Sequence, residues 1–253
     1  MSLENCANQL REHDPDRFGI CLLAPAAARP KLLTLYALNL ELARAPLASN
    51  EPLIAEMRLQ WWIERLEDIG KTAGQPHELI TPLAEAWGPR ASSLAVMAEP
   101  RRRDSWREAH ERPDDVMAYV RDTAVPLAQF AAEALDGPQA AMPAVSAQAE
   151  GLGLAHWLAA LPALQGMGLG LRNPSPDALA RLAAHARDRL AEARAQRRDV
   201  PRSLAPALFP GAGIAAILAT APTGIEALAA AQPSEFRKRL ALGAFTLTHR
   251  WWI

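Results

Sequence analysis

Cysteine is nearly absent: Cys6 and Cys21 are the only two among 253 residues. Two thiols cannot staple a chain of this length or build a Cys-based structural zinc site, and their scarcity points to a reducing, cytoplasmic setting. Net charge is also close to nil, −1 at pH 7. That excludes the strong positive field of a dedicated nucleic-acid binder, and no nucleic-acid partner is expected. Lysine occurs only at Lys31, Lys71 and Lys238, so arginine supplies nearly all the cations. Strand-like alternation of β-branched residues is missing throughout, which argues against a sheet. The first residues carry early acids and no apolar core, so no secretory leader is expected. Gly-rich phosphate loops, Ser/His/Asp arrangements and Cys/His clusters are missing too, which removes the commonest routes to phosphate binding, acyl transfer and metal binding.

What remains is a helix-forming chain. Half of it is hydrophobic, far too apolar for disorder, and Ala, Leu, Arg and Glu dominate. Between Pro/Gly breaks, helices are expected over residues 31–44, 53–69, 114–135, 145–164, 177–196 and 234–252. Asn50, Ser175 and Ser234 are the expected caps, each beside a proline or an acid. No linker is polar enough to mark a boundary, so residues 1–253 read as one all-α domain of roughly ten helices. Gly151–Leu171 has no charged residue and approaches the length of a membrane span. Five glycines, Pro162, His156 and Gln165 interrupt it, and a buried helix running into a Gly-rich loop is the expected structure. The chain is expected to be soluble.

Two segments carry polar residues in places that demand partners. Around residues 32–44, Leu32, Leu33, Tyr36, Leu40 and Ala43 share a face. Asn39 stands at its edge and must find hydrogen-bond partners if buried, while Glu41 points away. In the next segment Leu53, Ile54, Met57 and Trp61 form an apolar stripe, with Arg58 and Arg65 beside it and Trp62 and Ile69 extending it. Arginines enclosed in this way need a carboxylate or an anionic ligand, and Glu41 is the expected partner of Arg58. His156 has no second His or acid near it in sequence and reads as a hydrogen-bonded interior histidine. Glu64 with Asp68, and Asp188 with Glu192, are acid pairs four residues apart, interleaved with charges as on solvated faces.

The run Phe18, Pro25, Arg29, Tyr36, Ala37 resembles the opening of the squalene/phytoene synthase family. Tyr119 through Ala124 is similar to that family's central helix, Leu152 through Ala155 to its second catalytic helix, and Ala186 to Arg194 before Pro201 to its late helix. The resemblance implies a single-domain isoprenoid-synthase-type helical bundle around a central cavity. Members join prenyl diphosphates head to head, and Mg²⁺ bridges the departing diphosphate to aspartates on two facing helices. Here the first Asp-rich motif falls on Ala43, Arg44 and Leu47. The second falls on Trp157, Ala160, Ala163 and Leu164, near Gly168. No cofactor is therefore expected, and Mg²⁺ only if other acids have taken over.

A narrower resemblance joins Asn39 and Glu41 to the run Met57, Arg58, Gln60, Trp61, Trp62. It is to a non-catalytic branch of this fold that includes a mitochondrial complex I assembly factor. This implies no catalytic residues and an assembly or interaction role for a membrane respiratory complex, with a protein partner such as one of its subunits. Contact with the inner membrane face would be peripheral at most. Asn39, Glu41, Arg58, Trp61, Trp62 and His156 are then the residues expected to face a partner or ligand. A head-to-head prenyltransferase of isoprenoid or carotenoid synthesis, and a non-catalytic isoprenoid or lipid binder, remain open beside it.

Overall fold

The computed structural model describes residues 3–69, 71 and 76–253. Twelve α-helices are formed among them. In chain order these are α1 (Leu3–His13), α2 (Pro15–Leu23), α3 (Arg29–Arg44), α4 (Pro52–Glu67), α5 (Ile80–Trp87), α6 (Arg102–Ser105), α7 (Pro113–Ala134), α8 (Met142–Gly166), α9 (Pro176–Ala195), α10 (Ile214–Thr220), α11 (Ile225–Ala230) and α12 (Glu235–Thr248). Short 3-10 turns join many of them. The nearest thing to a strand among the described residues is an isolated bridge between His110 and Leu171. No helix among them is long and apolar enough to cross a membrane.

The ends of the helices follow from local chemistry. Prolines open α2, α3, α4, α8 and α9, where their missing N–H would have had no partner and their fixed φ suits the first turn. Ser175 accepts from the Ala178 amide at 3.2 Å and Ser234 from the Arg237 amide at 3.4 Å, as their positions suggest. Asn50 does not cap α4. The residue before that helix is Glu51, whose own amide is taken by Ser49 Oγ at 3.0 Å. All six expected helices form, with ends displaced by up to four residues.

The chain forms two compact units. Unit one holds residues 1–106 with 133–135. Its centre is α3, buried almost without interruption from Leu32 to Asn39, so no single face of that helix is the inner one. Cys6 and Leu10 of α1 are buried in the same unit, and α5 closes another side, Trp87 Nε1 donating to the Lys31 carbonyl at 3.2 Å. Burial pushes both thiols up, Cys6 to about 11 and Cys21 to about 12, because a buried thiolate would lose its hydration.

Unit two holds residues 107–132 and 136–253. Here α8 lies against α9 so closely that a Cβ on Gly151 would stand 2.7 Å from Leu190 Cγ and 2.9 Å from the Ala186 carbonyl. Val116, Leu154, Leu158, Leu182 and Leu218 belong to its apolar core. The buried carboxylate of Glu150 is held by His185 Nε2 and Arg189 Nε, each at 2.9 Å.

Candidate functional site

On α4 the packing selects one of two apolar arcs. Ala55, Leu59, Trp62, Ile63 and Leu66 are buried, and at 100° per residue they occupy one side of the helix. Leu53 and Met57 fall on the opposite side and, with Ile54, are more than half exposed. The stripe expected to be internal therefore faces solvent, and Trp61 lies at its border, half-buried. Arg58 shares this outer aspect and is exposed. It is not enclosed by apolar groups, and no ion pair joins it to Glu41 among the described residues. The nearest cation to the Glu41 carboxylate is Arg44, at 4.0 Å one turn along α3.

Glu41 and Arg58 nevertheless meet in one place. A cavity of about 390 Å³ in unit one is lined by Gln9 of α1, Glu41 of α3, Arg58, Trp61 and Trp62 of α4, and His77, Glu78 and Leu79 ahead of α5. Arg58, Trp61 and Trp62 face it together because residues three and four apart share a helix face. The tryptophan rings meet edge to face at 4.9 Å, and His77 lies 5.2 Å from Trp61 and 5.4 Å from Trp62. Arg65 is stacked 5.5 Å over Trp61, which accounts for the second arginine of the stripe.

His77 is placed by the start of α5. Its Nδ1 accepts from the amides of Leu79 at 3.1 Å and Ile80 at 3.3 Å, while its own amide donates to Thr81 Oγ1 at 3.0 Å. These bonds fix the imidazole at the entry to α5. Burial lowers the imidazole pKa, against the opposing pull of Glu78 and Glu41. The ring is neutral at pH 7, with Nδ1 as acceptor and the proton on Nε2. Trp62 and Leu79 are buried, whereas Arg58 and Glu78 are exposed. The result is a concave, aromatic-sided recess with charges of both signs at its edge, suited to a planar or aliphatic side chain carrying a polar tip.

The other expected residues lie elsewhere. Asn39 is buried, and its Oδ1 accepts from Arg101 Nη2 at 3.0 Å. His156 is exposed on α8, which corrects the expectation of an interior histidine: the buried side of α8 is taken by its neighbours Leu154, Ala155, Trp157 and Leu158. The buried histidine of unit two is His110, whose ring lies 5.3 Å from Tyr119 and 5.9 Å from Trp157. Of the residues that the resemblance sets against the second Asp-rich motif, Trp157 is buried, Ala160 and Ala163 are exposed, and Leu164 is half-buried. Both acid pairs, Glu64 with Asp68 and Asp188 with Glu192, are exposed. Among the described residues no three His, Cys, Asp or Glu side chains stand close enough to hold a metal ion. Sequence reasoning missed Gln9, His77, Glu78 and Leu79. Of these only His77 had a local signal, a polar residue four before Thr81 at the exit of a Gly/Pro break.

The fold is that of the isoprenoid-synthase-type helical proteins. A dehydrosqualene synthase crystal structure aligns with 96% of the chain and 94% of its own at a TM-score of 0.71 and 14% identity. Squalene synthase HpnC from Alicyclobacillus acidocaldarius aligns with 90% and 92% at 0.64 and 16% identity. The squalene/phytoene synthase family model matches residues 10–169, and the chain belongs to that family. Among curated proteins it is similar to NADH dehydrogenase (ubiquinone) complex I, assembly factor 6, at 38% identity in the human protein and 35% in the bovine one. Each match runs over 82 residues, 32% of this chain and 24% of the relative. The match thus spans about a quarter of those relatives' length.

Proposed function

We propose that this chain is a non-catalytic member of the squalene/phytoene synthase family that serves as an assembly or interaction factor for a membrane respiratory complex, complex I. It works in the cytoplasm at the inner membrane face. The recess of Glu41, Arg58, Trp61, Trp62 and His77 receives a side chain of the partner protein. The observation that carries this reading is the fate of the marked residues. Where the family's Asp-rich motifs fall, the chain has Ala43, Arg44 and Leu47, then Trp157, Ala160, Ala163 and Leu164. Of the residues shared with the non-catalytic branch, by contrast, Glu41, Arg58, Trp61 and Trp62 line one cavity. The similar human and bovine proteins, named as complex I assembly factors, support the choice of complex I. No prosthetic group or Mg²⁺ is needed for such a role.

The test is complementation. In a strain deleted for this gene, the wild-type chain restores complex I activity and assembly. A chain with Arg58→Ala and Glu78→Ala, both exposed at the edge of the recess, melts like wild type but fails to restore either. Unimpaired complex I in the deletion strain would refute the role, and full rescue by the double variant would refute the recess.

A further inference from the structure

The last helix, α12, is bound to unit two by its inner side and its end. Phe245 is its one buried residue, its ring 4.9 Å from that of Phe209 and tilted against it. Beyond the helix, Trp251 is buried, and its carbonyl accepts from the buried Gln148 amide at 2.9 Å. Arg194 reaches the Ile253 carbonyl at 3.4 Å. A helix tied down at these points does not present its other face by coming loose.

That other face is strongly apolar. Phe236 is 74% exposed, Leu240 60% and Leu247 81%, and Gly243 between them has open space above it. At 100° per residue these four lie within about 60° of one another, in a row roughly 16 Å long. The charges around the row are of one sign. Glu235, the helix's only acid, is paired with Lys238 at 2.8 Å. Arg237 and Arg239 flank the row on either side and Arg250 follows it, none in an ion pair among the described residues, although Glu235 one turn before Arg239 lies near enough to feel its charge.

We infer that α12 is the element by which this protein lies on an anionic membrane surface, with Phe236, Leu240 and Leu247 entering the headgroup boundary and Arg237, Arg239 and Arg250 meeting lipid phosphates. An apolar row edged by unpaired arginines is the pattern of an interfacial helix. Self-association is disfavoured by the same charges. A second copy docked on this row would bring arginines to a face that offers no unpaired carboxylate to meet them. The inference rests on the reading of the protein as one that works at a membrane face, and not on the identity of its partner.

The test uses the full chain and vesicles alone, so its failure would leave complementation of complex I untouched. The chain is expected to co-sediment with vesicles of phosphatidylcholine mixed with phosphatidylglycerol, weakly with phosphatidylcholine alone, and less as salt is raised. Arg237→Gln with Arg239→Gln should weaken anionic binding roughly 25-fold, about fivefold for each arginine. Leu240→Ser with Leu247→Ser should abolish it. These side chains are exposed, so neither variant should change the melting temperature. Met57→Ser, on the exposed face of α4, should bind like wild type. Three results would overturn the inference: no binding to anionic vesicles, binding that survives both double variants, or a dimer in light scattering that Leu240→Ser with Leu247→Ser dissolves.

Discussion

Helices α4 and α8 are both rich in apolar residues, and they dispose of them in opposite ways. On α8, more than half of the residues are buried, Gly151 admits α9 to near backbone contact, and the one buried acid, Glu150, is answered inside unit two by His185 and Arg189. On α4, fewer than a third are buried, and Leu53, Ile54, Met57 and Arg58 face outward. A helix packed over most of its length mainly supports the fold. One whose apolar and charged groups remain outside can change partner without unfolding the chain. In this protein α8 is the more enclosed of the two helices, and the recess belongs to α4.

The largest contrast is expected at Gly151. Replacing it with valine drives a side chain into Leu190 and the Ala186 carbonyl, and overpacking against a backbone atom costs about 3 kcal/mol. Melting should fall by about 6–12 °C. An unchanged melt would mean that α8 and α9 are not in close contact. Next comes Glu150→Ala, which takes away the hydrogen-bond partner of His185 and leaves Arg189 with Glu192 alone. His185 and Arg189 keep part of their hydration, so the cost is about 2 kcal/mol rather than the full penalty of a buried pair.

The third effect separates the interior of unit one from its surface by pH. Cys6 and Cys21 titrate near 11 and 12 when folded, against about 8.5 in an unfolded chain. The unfolded state loses protons first, so their contribution is complete below about 8.5 and is lost as pH climbs toward the folded values. Denaturant midpoints should fall across that window, and less steeply for Cys21→Ser. Native chain at neutral pH should resist alkylation at both thiols. The smallest effect on stability is that of Arg58→Ala, within about 0.5 kcal/mol, as for an exposed residue without a partner. A large loss there would restore the enclosed ion pair with Glu41 that its sequence neighbours suggest.

These contrasts also mark how far the residues alone could be interpreted. Helix composition, prolines at first turns and the serine caps at Ser175 and Ser234 are local chemistry, and they were legible. So was the tie between Asn39 and a hydrogen-bond partner, although Arg101, 62 residues away, was not. The face of α4 was not legible because the helix has two apolar arcs. Periodicity finds both, and only the neighbouring segments choose Leu59 and Leu66 over Leu53 and Met57. The recess was half legible for the same kind of reason. Arg58, Trp61 and Trp62 stand within one turn of each other, whereas His77 and Gln9 come from other segments. Glu150 escaped notice because its partners lie a whole helix later.

The most decisive measurement is made on the purified chain with farnesyl diphosphate. Titration calorimetry with and without Mg²⁺, followed by assay for released pyrophosphate, asks whether the chemistry of the family persists. On the proposed reading, which sets Ala43, Arg44 and Leu47 at one group of motif positions and Trp157, Ala160, Ala163 and Leu164 at the other, Mg²⁺ should not strengthen binding and no pyrophosphate should appear. Affinity that depends on Mg²⁺, together with pyrophosphate release, would contradict the non-catalytic reading and make this chain a prenyltransferase whose acids come from elsewhere.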